Sequence, residues 1–213
     1  RIYNARGRSR SALSTILGDK TYVQGIPFAS FTANSPKQLE FQTRKDIQII
    51  FEIQAIYFEY FMRKFIKSGE LTSNNLYYFI QQISTLKEKD LVFIKEGLDE
   101  YFNENYIASI HIIVPQIERL AKLIIALKYS NAIKVRTTKD GVSMQYYTFK
   151  PILEKQGMEC LSWPLQEILK VKLYDPNFSN IRNIICHGLA SKEHCDHYNA
   201  FQIIWILLML SFR

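Results

Sequence analysis

Glycine, proline, cysteine and long apolar runs are all scarce in this sequence of 213 residues. Eight Gly and six Pro are few for such a length, which disfavours sandwiches and barrels and favours helices. The three cysteines are odd in number and irregularly spaced, so no disulfide framework is predicted and a reducing compartment is the simpler interpretation. The most apolar run, residues 203–210, is far shorter than the ~20 residues of a membrane-spanning helix. We therefore expect a cytoplasmic chain without a spanning segment.

Apolar and aromatic residues are abundant, and positive charge is in excess. Hydrophobic residues make up 47% of the chain and aromatic residues 14%, which excludes a disordered protein. A net charge of +7 and a pI near 9.2 are a weak indication of a polyanionic partner, such as nucleic acid or an anionic membrane surface. A mildly basic, solvated surface that binds neither is the alternative. Phosphate-binding loops, dinucleotide-binding motifs and nucleophile elbows are absent, which removes several large enzyme classes.

The first half of the chain divides into a basic leader and an aromatic-rich region. Residues 1–34 are predicted to be irregular, with four Arg in the first ten positions that suit either a flexible leader or phosphate contacts. Residues 35–103 form the aromatic-rich helical region, in which Ser35-Pro36 predicts the start of a helix that runs to Gly69. Its apolar residues recur every three or four positions, which indicates core or a helix–helix interface, with base stacking as the alternative.

The second half, residues 104–213, is predicted to be helical with one β-hairpin. A strongly apolar helix is expected from Tyr106 to Leu127, and Pro115 within it should free the carbonyl of His111 and kink the helix there. Asp140-Gly141 between two β-prone runs predicts the hairpin. Shorter helices are expected at residues 149–156, 163–173, 178–187 and 192–212. Gly188 is placed to end the third of these in a left-handed cap.

The segment SNIRNIICHG carries the residues best suited to chemistry. Asn183 and His187 are four residues apart and share a helix face, while Arg182 lies about 140° from His187 at 3.6 residues per turn. A histidine exchanges protons near neutral pH, and an arginine fork holds a phosphate and stabilises its developing charge. An asparagine amide can orient either the histidine or a ribose hydroxyl. These three residues are therefore candidates for an RNA-cleaving centre.

Two segments resemble a known family. RNIICHG resembles the RNxxxHG signature of a domain of unknown function in the HEPN clan, and HIIVPQIERLAKLI resembles the upstream helix of that family. The hairpin between them also matches the family's layout, and the resemblance covers about residues 104–213. Its relatives include an endoplasmic reticulum membrane-associated RNA degradation protein, and other HEPN proteins are toxins and antiviral ribonucleases.

The resemblance implies a fold and an activity. The fold is all-α, a HEPN-like helical bundle with a small β-hairpin insertion. The activity is that of a metal-independent endoribonuclease, without a cofactor, in which 2′-hydroxyl attack leaves a 2′,3′-cyclic phosphate. His187 would be the acid/base, Arg182 the phosphate holder and Asn183 the orienting group, in a cleft shared by a homodimer. His111 and Glu118, two helical turns apart, would flank the site, or Glu118 would pair with Arg182 as a buried structural bridge.

Two other interpretations remain open from the residues alone. His194, Cys195, His197 and Cys186 are close in sequence and are possible ligands of a soft metal, although their spacing fits no standard zinc pattern. The second alternative is a non-catalytic RNA-binding or dimerisation module of a larger protein, in which the apolar final helix and the aromatic first helix make the contacts.

Overall fold

Helices form most of the chain that the computed structural model describes, which confirms the expected all-α class. The described residues are 20–23, 26–30, 35–83, 88–129, 133–138, 141–146, 151, 153–154 and 157–211. The helices within them are α1 (Pro36–Lys67), α2 (Ser73–Ile83), α3 (Glu88–Phe102), α4 (Tyr106–Lys128), α5 (Gly157–Cys160), α6 (Trp163–Leu169), α7 (Ile181–Cys186) and α8 (His197–Ser211). No helix in this described part is long and apolar enough to cross a membrane.

Two short antiparallel pairs of strands accompany the helices. Strands β3 (Ile133–Thr138) and β4 (Gly141–Tyr146) pair in the segment where the sequence predicts a hairpin, although Asp140 itself lies outside the described residues. Strands β1 (Lys20–Val23) and β2 (Ile26–Ser30) pair within the segment expected to be irregular. The β-branched and aromatic residues of that segment account for the difference, because such residues favour pleated strands. The four arginines of the leader lie outside the described residues.

Local signals set both ends of α1 as expected. The Ser35 hydroxyl accepts a hydrogen bond from the Gln38 amide at 3.1 Å, and Pro36 occupies the first turn, where its missing N–H costs nothing. After the last turn, Gly69 takes a positive φ of 76°, which a residue without a Cβ adopts without strain. The predicted bounds of this helix are confirmed.

The buried face of α1 differs from the one that the aromatic pattern suggests. Its core-facing residues include Ile47, Phe51, Ala55 and Met62. The opposite face is apolar as well but is 46–67% exposed, and we call it the α1 stripe: Ile49, Ile50, Ile53, Ile56, Tyr57, Tyr60, Phe61 and Phe65. Of the two interpretations of this pattern, core and helix–helix interface, the core one does not hold for the stripe, because the helix is apolar on two faces and only one of them packs against the rest of the described chain.

The core extends across the boundary expected near residue 104. Helix α4 packs against both α3 and α8, and buried residues of all three belong to one apolar cluster. At the α3–α4 contact, the Ser109 hydroxyl donates to the Gly97 carbonyl at 2.8 Å, and a Cβ on Gly97 would lie 2.4 Å from Ile113 Cγ1. The predicted regions 35–103 and 104–213 therefore share a core in the described part of the chain.

An ion-pair network joins the start of α1 to the C-terminal half. Arg44 Nε donates to Glu167 Oε2 at 3.1 Å, and Nη1 donates to Asp175 Oδ2 at 2.9 Å. Burial lowers the pKa of Arg44, but the bond and charge of Glu167, with the charges of Glu40 and Asp175, outweigh it and raise that pKa. The network fixes α1 against α6 and the segment that leads to α7.

The later helices are shorter or more divided than the sequence predicts. Helix α6 continues as a π-helical segment, Lys170–Tyr174, and the helix expected at 178–187 is confined to Ile181–Cys186. The helix expected at 192–212 is divided into a 3-10 turn, Lys192–Cys195, and α8, because Asp196 is extended and its carboxylate accepts the Asn199 amide at 2.7 Å as an N-cap.

Candidate functional site

Helix α7 is short and ends in a well-defined cap. The Gly188 amide donates to the Ile185 carbonyl at 3.0 Å, and the Leu189 amide donates to the Ile184 carbonyl at 2.9 Å. With Gly188 at a φ of 66°, these bonds make a Schellman motif, and the left-handed cap predicted at Gly188 is confirmed. The cap fixes where the side chains of the RNIICHG segment emerge.

Arg182 is held by three neighbours. Its Nε donates to Glu118 Oε2 at 3.0 Å, and its Nη1 donates to Asn183 Oδ1 at 3.1 Å. Its guanidinium carbon lies 5.9 Å from the centre of the Tyr174 ring, a distance suited to a cation–π contact. Burial lowers the pKa of Arg182, but the charge and hydrogen bond of Glu118 outweigh it and raise that pKa. The ion pair between Glu118 and Arg182, one of the two roles considered for Glu118, is present.

Glu118 is the acceptor at the centre of this cluster. Besides Arg182, it accepts a hydrogen bond from Lys122 Nζ at 2.6 Å and one from the Tyr174 hydroxyl at 2.9 Å. Burial raises the pKa of Glu118, but the hydrogen bond and charge of Lys122, the bond from Tyr174 and the charge of Arg182 prevail, and the pKa is lowered. Burial, together with the charge and hydrogen bond of Glu118, raises the pKa of Tyr174. At neutral pH the carboxylate is therefore ionised and works as an orienting acceptor.

A cleft of about 460 Å³ lies between α4 and α7, next to the cluster. This volume falls within the range of small-ligand sites, about 300–1,000 Å³. The residues that line it are Val114, Pro115, Glu118, Arg119, Lys122, Leu123, Arg182, Ile185 and Cys186. Three of them carry positive charge and one carries negative charge, so the rim has an excess of two positive charges over an apolar lining. Such a surface suits an anionic group.

The other two residues of the motif have different surroundings. Asn183 bonds to Arg182, and its amide nitrogen donates to Asn180 Oδ1 at 2.7 Å. His187 is the C-cap of α7; its backbone amide donates to the Asn183 carbonyl at 3.0 Å, and its side chain is exposed. Its ring has no hydrogen-bond partner within the described residues and is not among the groups that line the cleft. The fold thus brings Arg182, Asn183 and Glu118 together and leaves His187 beside them on the surface.

His111 lies away from this cluster, although it shares α4 with Glu118. Its side chain is exposed, and its Nδ1 lies 2.7 Å from the Ile107 carbonyl of the preceding turn. Pro115, four residues on, is accommodated within α4, which runs unbroken from Tyr106 to Lys128. Of the two supporting residues expected to flank the site, only Glu118 contacts Arg182.

The two histidines considered as metal ligands are engaged elsewhere. His194 accepts the Ser191 amide at 3.1 Å, which closes the cap of the 3-10 turn. His197 Nδ1 lies 3.2 Å from Glu59 Oε1, and burial lowers the pKa of His197 more than the Glu59 charge raises it. No group of three or more His, Cys, Asp or Glu side chains in the described segments is placed to hold a metal ion.

Two members of the cluster were not anticipated. Lys122 lies four residues after Glu118 on α4, and this spacing could have revealed the pair, since such residues are neighbours on a helix. Tyr174 gives no comparable signal. It reaches Glu118 only because the π-helical segment ends beside α4, a tertiary arrangement without a sequence mark.

Chemically, the cluster can bind and orient an anion. Arg182 and Lys122 are both fixed by one carboxylate, and Nη2 of Arg182 has no hydrogen-bond partner in the described part of the chain. A guanidinium fixed in this way retains donors for a phosphate oxygen. A search against family models, curated proteins and solved structures finds no match to this chain.

Proposed function

We propose that this protein is a metal-independent endoribonuclease of the HEPN type, with Arg182, Asn183 and His187 as its catalytic residues. The observation that carries the proposal is the cationic cleft beside α7, in which Glu118 fixes Arg182 and leaves one guanidinium nitrogen for a ligand. An exposed histidine follows on the same short helix. The resemblance of RNIICHG to the RNxxxHG signature and the net positive charge of the chain both favour RNA as the ligand.

The proposed chemistry is transfer of the phosphodiester to the neighbouring ribose oxygen. The 2′-oxygen attacks phosphorus, the bond to the 5′-oxygen breaks, and the products are a 2′,3′-cyclic phosphate and a 5′-hydroxyl end. His187 takes the proton of the 2′-hydroxyl and returns a proton to the leaving 5′-oxygen, because imidazole is suited to proton transfer and this ring is accessible. Arg182 stabilises the charge on the equatorial oxygens, and Asn183 orients the attacking group or the histidine. RNA turnover or antiviral defence is the setting that the resemblance implies.

A second copy of the chain is part of the proposal. HEPN ribonucleases place the motifs of two protomers at one cleft, and His187 does not line the cleft of its own protomer. An exposed ring at the end of α7 is available to a facing subunit. The active form that we propose is therefore a homodimer with a composite site in the cytoplasm.

Cleavage of structured RNA in the presence of EDTA tests the proposal. We expect wild type to cleave and to leave cyclic phosphate ends that mass spectrometry identifies, and we expect His187→Ala and Arg182→Ala each to lower the rate by about 100-fold or more. His111→Ala is the matched control, since its exposed ring bonds to its own helix and should leave the rate unchanged. Retained activity in either site variant, with a helical circular dichroism spectrum, would refute the assignment.

A non-catalytic RNA-binding module is the second candidate. It is favoured by the closed ion-pair cluster, in which two Arg182 nitrogens are already engaged and His187 stands apart. In that case fluorescence anisotropy would detect RNA binding that weakens steeply with salt, while no RNA of a varied panel is cut. Arg182→Ala would then lower affinity across all sequences alike.

A further inference from the structure

The α1 stripe is an exposed apolar surface that the described part of the chain leaves uncovered. No charged side chain between Ile47 and Met62 is exposed along α1, whose residues are all described, whereas Lys45, Arg63 and Lys64 are exposed at its two ends. A large apolar residue has about 200 Å² of surface when it is fully exposed. The exposed fractions of the eight stripe residues therefore leave roughly 850 Å² uncovered. The largest apolar patch of a typical monomer is about 300–600 Å², and a stable interface buries about 800 Å² per partner.

The centre of the stripe has the spacing of a two-helix seam. Ile50, Ile53, Tyr57 and Tyr60 follow one another at intervals of three, four and three residues, which is the alternation of the a and d positions of a heptad. The same alternation continues to Asp46, four residues before Ile50, and to Lys64, four residues after Tyr60. Ala55 and Met62, which face the core, fall on the opposite side of the helix. A straight seam therefore runs along the exposed face, with Asp46 in its line at one end and Lys64 at the other, while the exposed Lys45 lies beside that line.

We propose that the α1 stripe is the contact surface between two copies of this chain, with the two α1 helices antiparallel. In an antiparallel seam centred near residue 55, Ile53 faces Tyr57 of the second copy and Ile50 faces Tyr60. The register then places Lys64 opposite Asp46 at both ends, and opposite charges attract. A parallel pair would instead stack Lys64 on Lys64 and Asp46 on Asp46, which like-charge repulsion disfavours. The register of Asp46 and Lys64 thus favours the antiparallel direction, and the size of the apolar stripe favours a second copy as the partner.

This surface is on a different helix from the Arg182 cleft, so the contact is separate from the composite cleft proposed above and is tested separately from RNA cleavage. Sedimentation velocity over a concentration series should show a dimer for wild type. Ile53→Glu and Tyr57→Glu should each raise the dimer Kd by about 30-fold or more, since both place a charge at the centre of the seam. Val92→Glu is the matched control: Val92 is 59% exposed on α3, and its substitution should leave the Kd unchanged. All three sites are exposed in the protomer, so circular dichroism should remain helical.

Charge exchange at low ionic strength tests the direction of the helices. In the antiparallel register, Lys64→Glu sets two acidic groups against each other at both ends and should raise the Kd by roughly tenfold. The double variant Asp46→Lys with Lys64→Glu restores opposite charges and should restore the wild-type Kd. In a parallel pair each of these positions faces the same position of the second copy, so both variants would still set like charges against each other. A monomeric wild type, a dimer indifferent to Ile53→Glu, or a double variant no tighter than Lys64→Glu would overturn the proposal.

Discussion

Replacing Glu118 by Gln should reveal how much the cluster beside α7 contributes to stability. The carboxylate accepts from Lys122 at 2.6 Å, Tyr174 at 2.9 Å and Arg182 at 3.0 Å. Glutamine keeps the shape of the side chain but removes its charge, and its NH2 group would face the donors that the carboxylate oxygens now accept. Breaking a buried pair costs about 3–5 kcal/mol, and breaking an exposed one costs about 0–1 kcal/mol. The side chains of Glu118 and Arg182 are 14% and 32% exposed, so we expect an intermediate loss of about 2–3 kcal/mol.

Urea unfolding at pH 7 measures this loss, and Tm should fall by roughly 5–10 °C. Because the pKa of Glu118 is lowered from its usual 4.5, its contribution is complete above pH 4.5 and is lost as the pH falls through the folded-state value. The difference between wild type and variant should therefore narrow below about pH 4.5. Glu96→Gln, at an exposed position on α3, is the control and should stay within about 0.5 kcal/mol. A Glu118→Gln loss as small as the control's would refute the reasoning.

Three further outcomes are expected from urea unfolding. Burial lowers the pKa of Lys172 from its usual 10.5 to about 8. Between these two pH values only the unfolded chain keeps the proton, so the stability of wild type should rise with pH there. Lys172→Met should remove this rise and should be more stable than wild type at pH 7 by about 2 kcal/mol. Gly188→Ala should cost about 1 kcal/mol at its positive φ, and Gly188→Asn less. Gly97→Ala should cost about 1–2 kcal/mol, because its Cβ would meet Ile113; an unchanged or higher stability would contradict the close α3–α4 contact.

The helix ends that depend on residues close to them in sequence were predicted well. Ser35-Pro36 and Gly69 marked the ends of α1, and Gly188 marked the end of α7, because capping bonds and positive φ values depend on adjacent residues. The subdivision of the last helix was missed. Its cause is also local, since Asp196 caps α8 from within an apparently continuous helical pattern.

The candidate site could be predicted only in part. Helical spacing placed Arg182 and Asn183 together and kept Glu118 open as the arginine's partner, and the fold contains that ion pair. The same spacing grouped His187 with them, but His187 is the cap residue, where the backbone leaves the helix. His111 shares a helix with Glu118, yet its ring bonds to its own preceding turn. Periodicity gives the direction of a side chain from its helix, and it does not tell which neighbour lies in that direction.

By itself the sequence determined the helical class and the ends of α1 and α4, since composition and capping residues act locally. Tertiary structure decided which residues meet. Tyr174 reaches Glu118 because the π-helical segment ends beside α4, and Arg44 joins α1 to residues more than a hundred positions later. Helix α1 is apolar on two faces, so its periodicity was compatible with burying either. Only the packing of the other helices chose the Phe51 face and left the α1 stripe exposed.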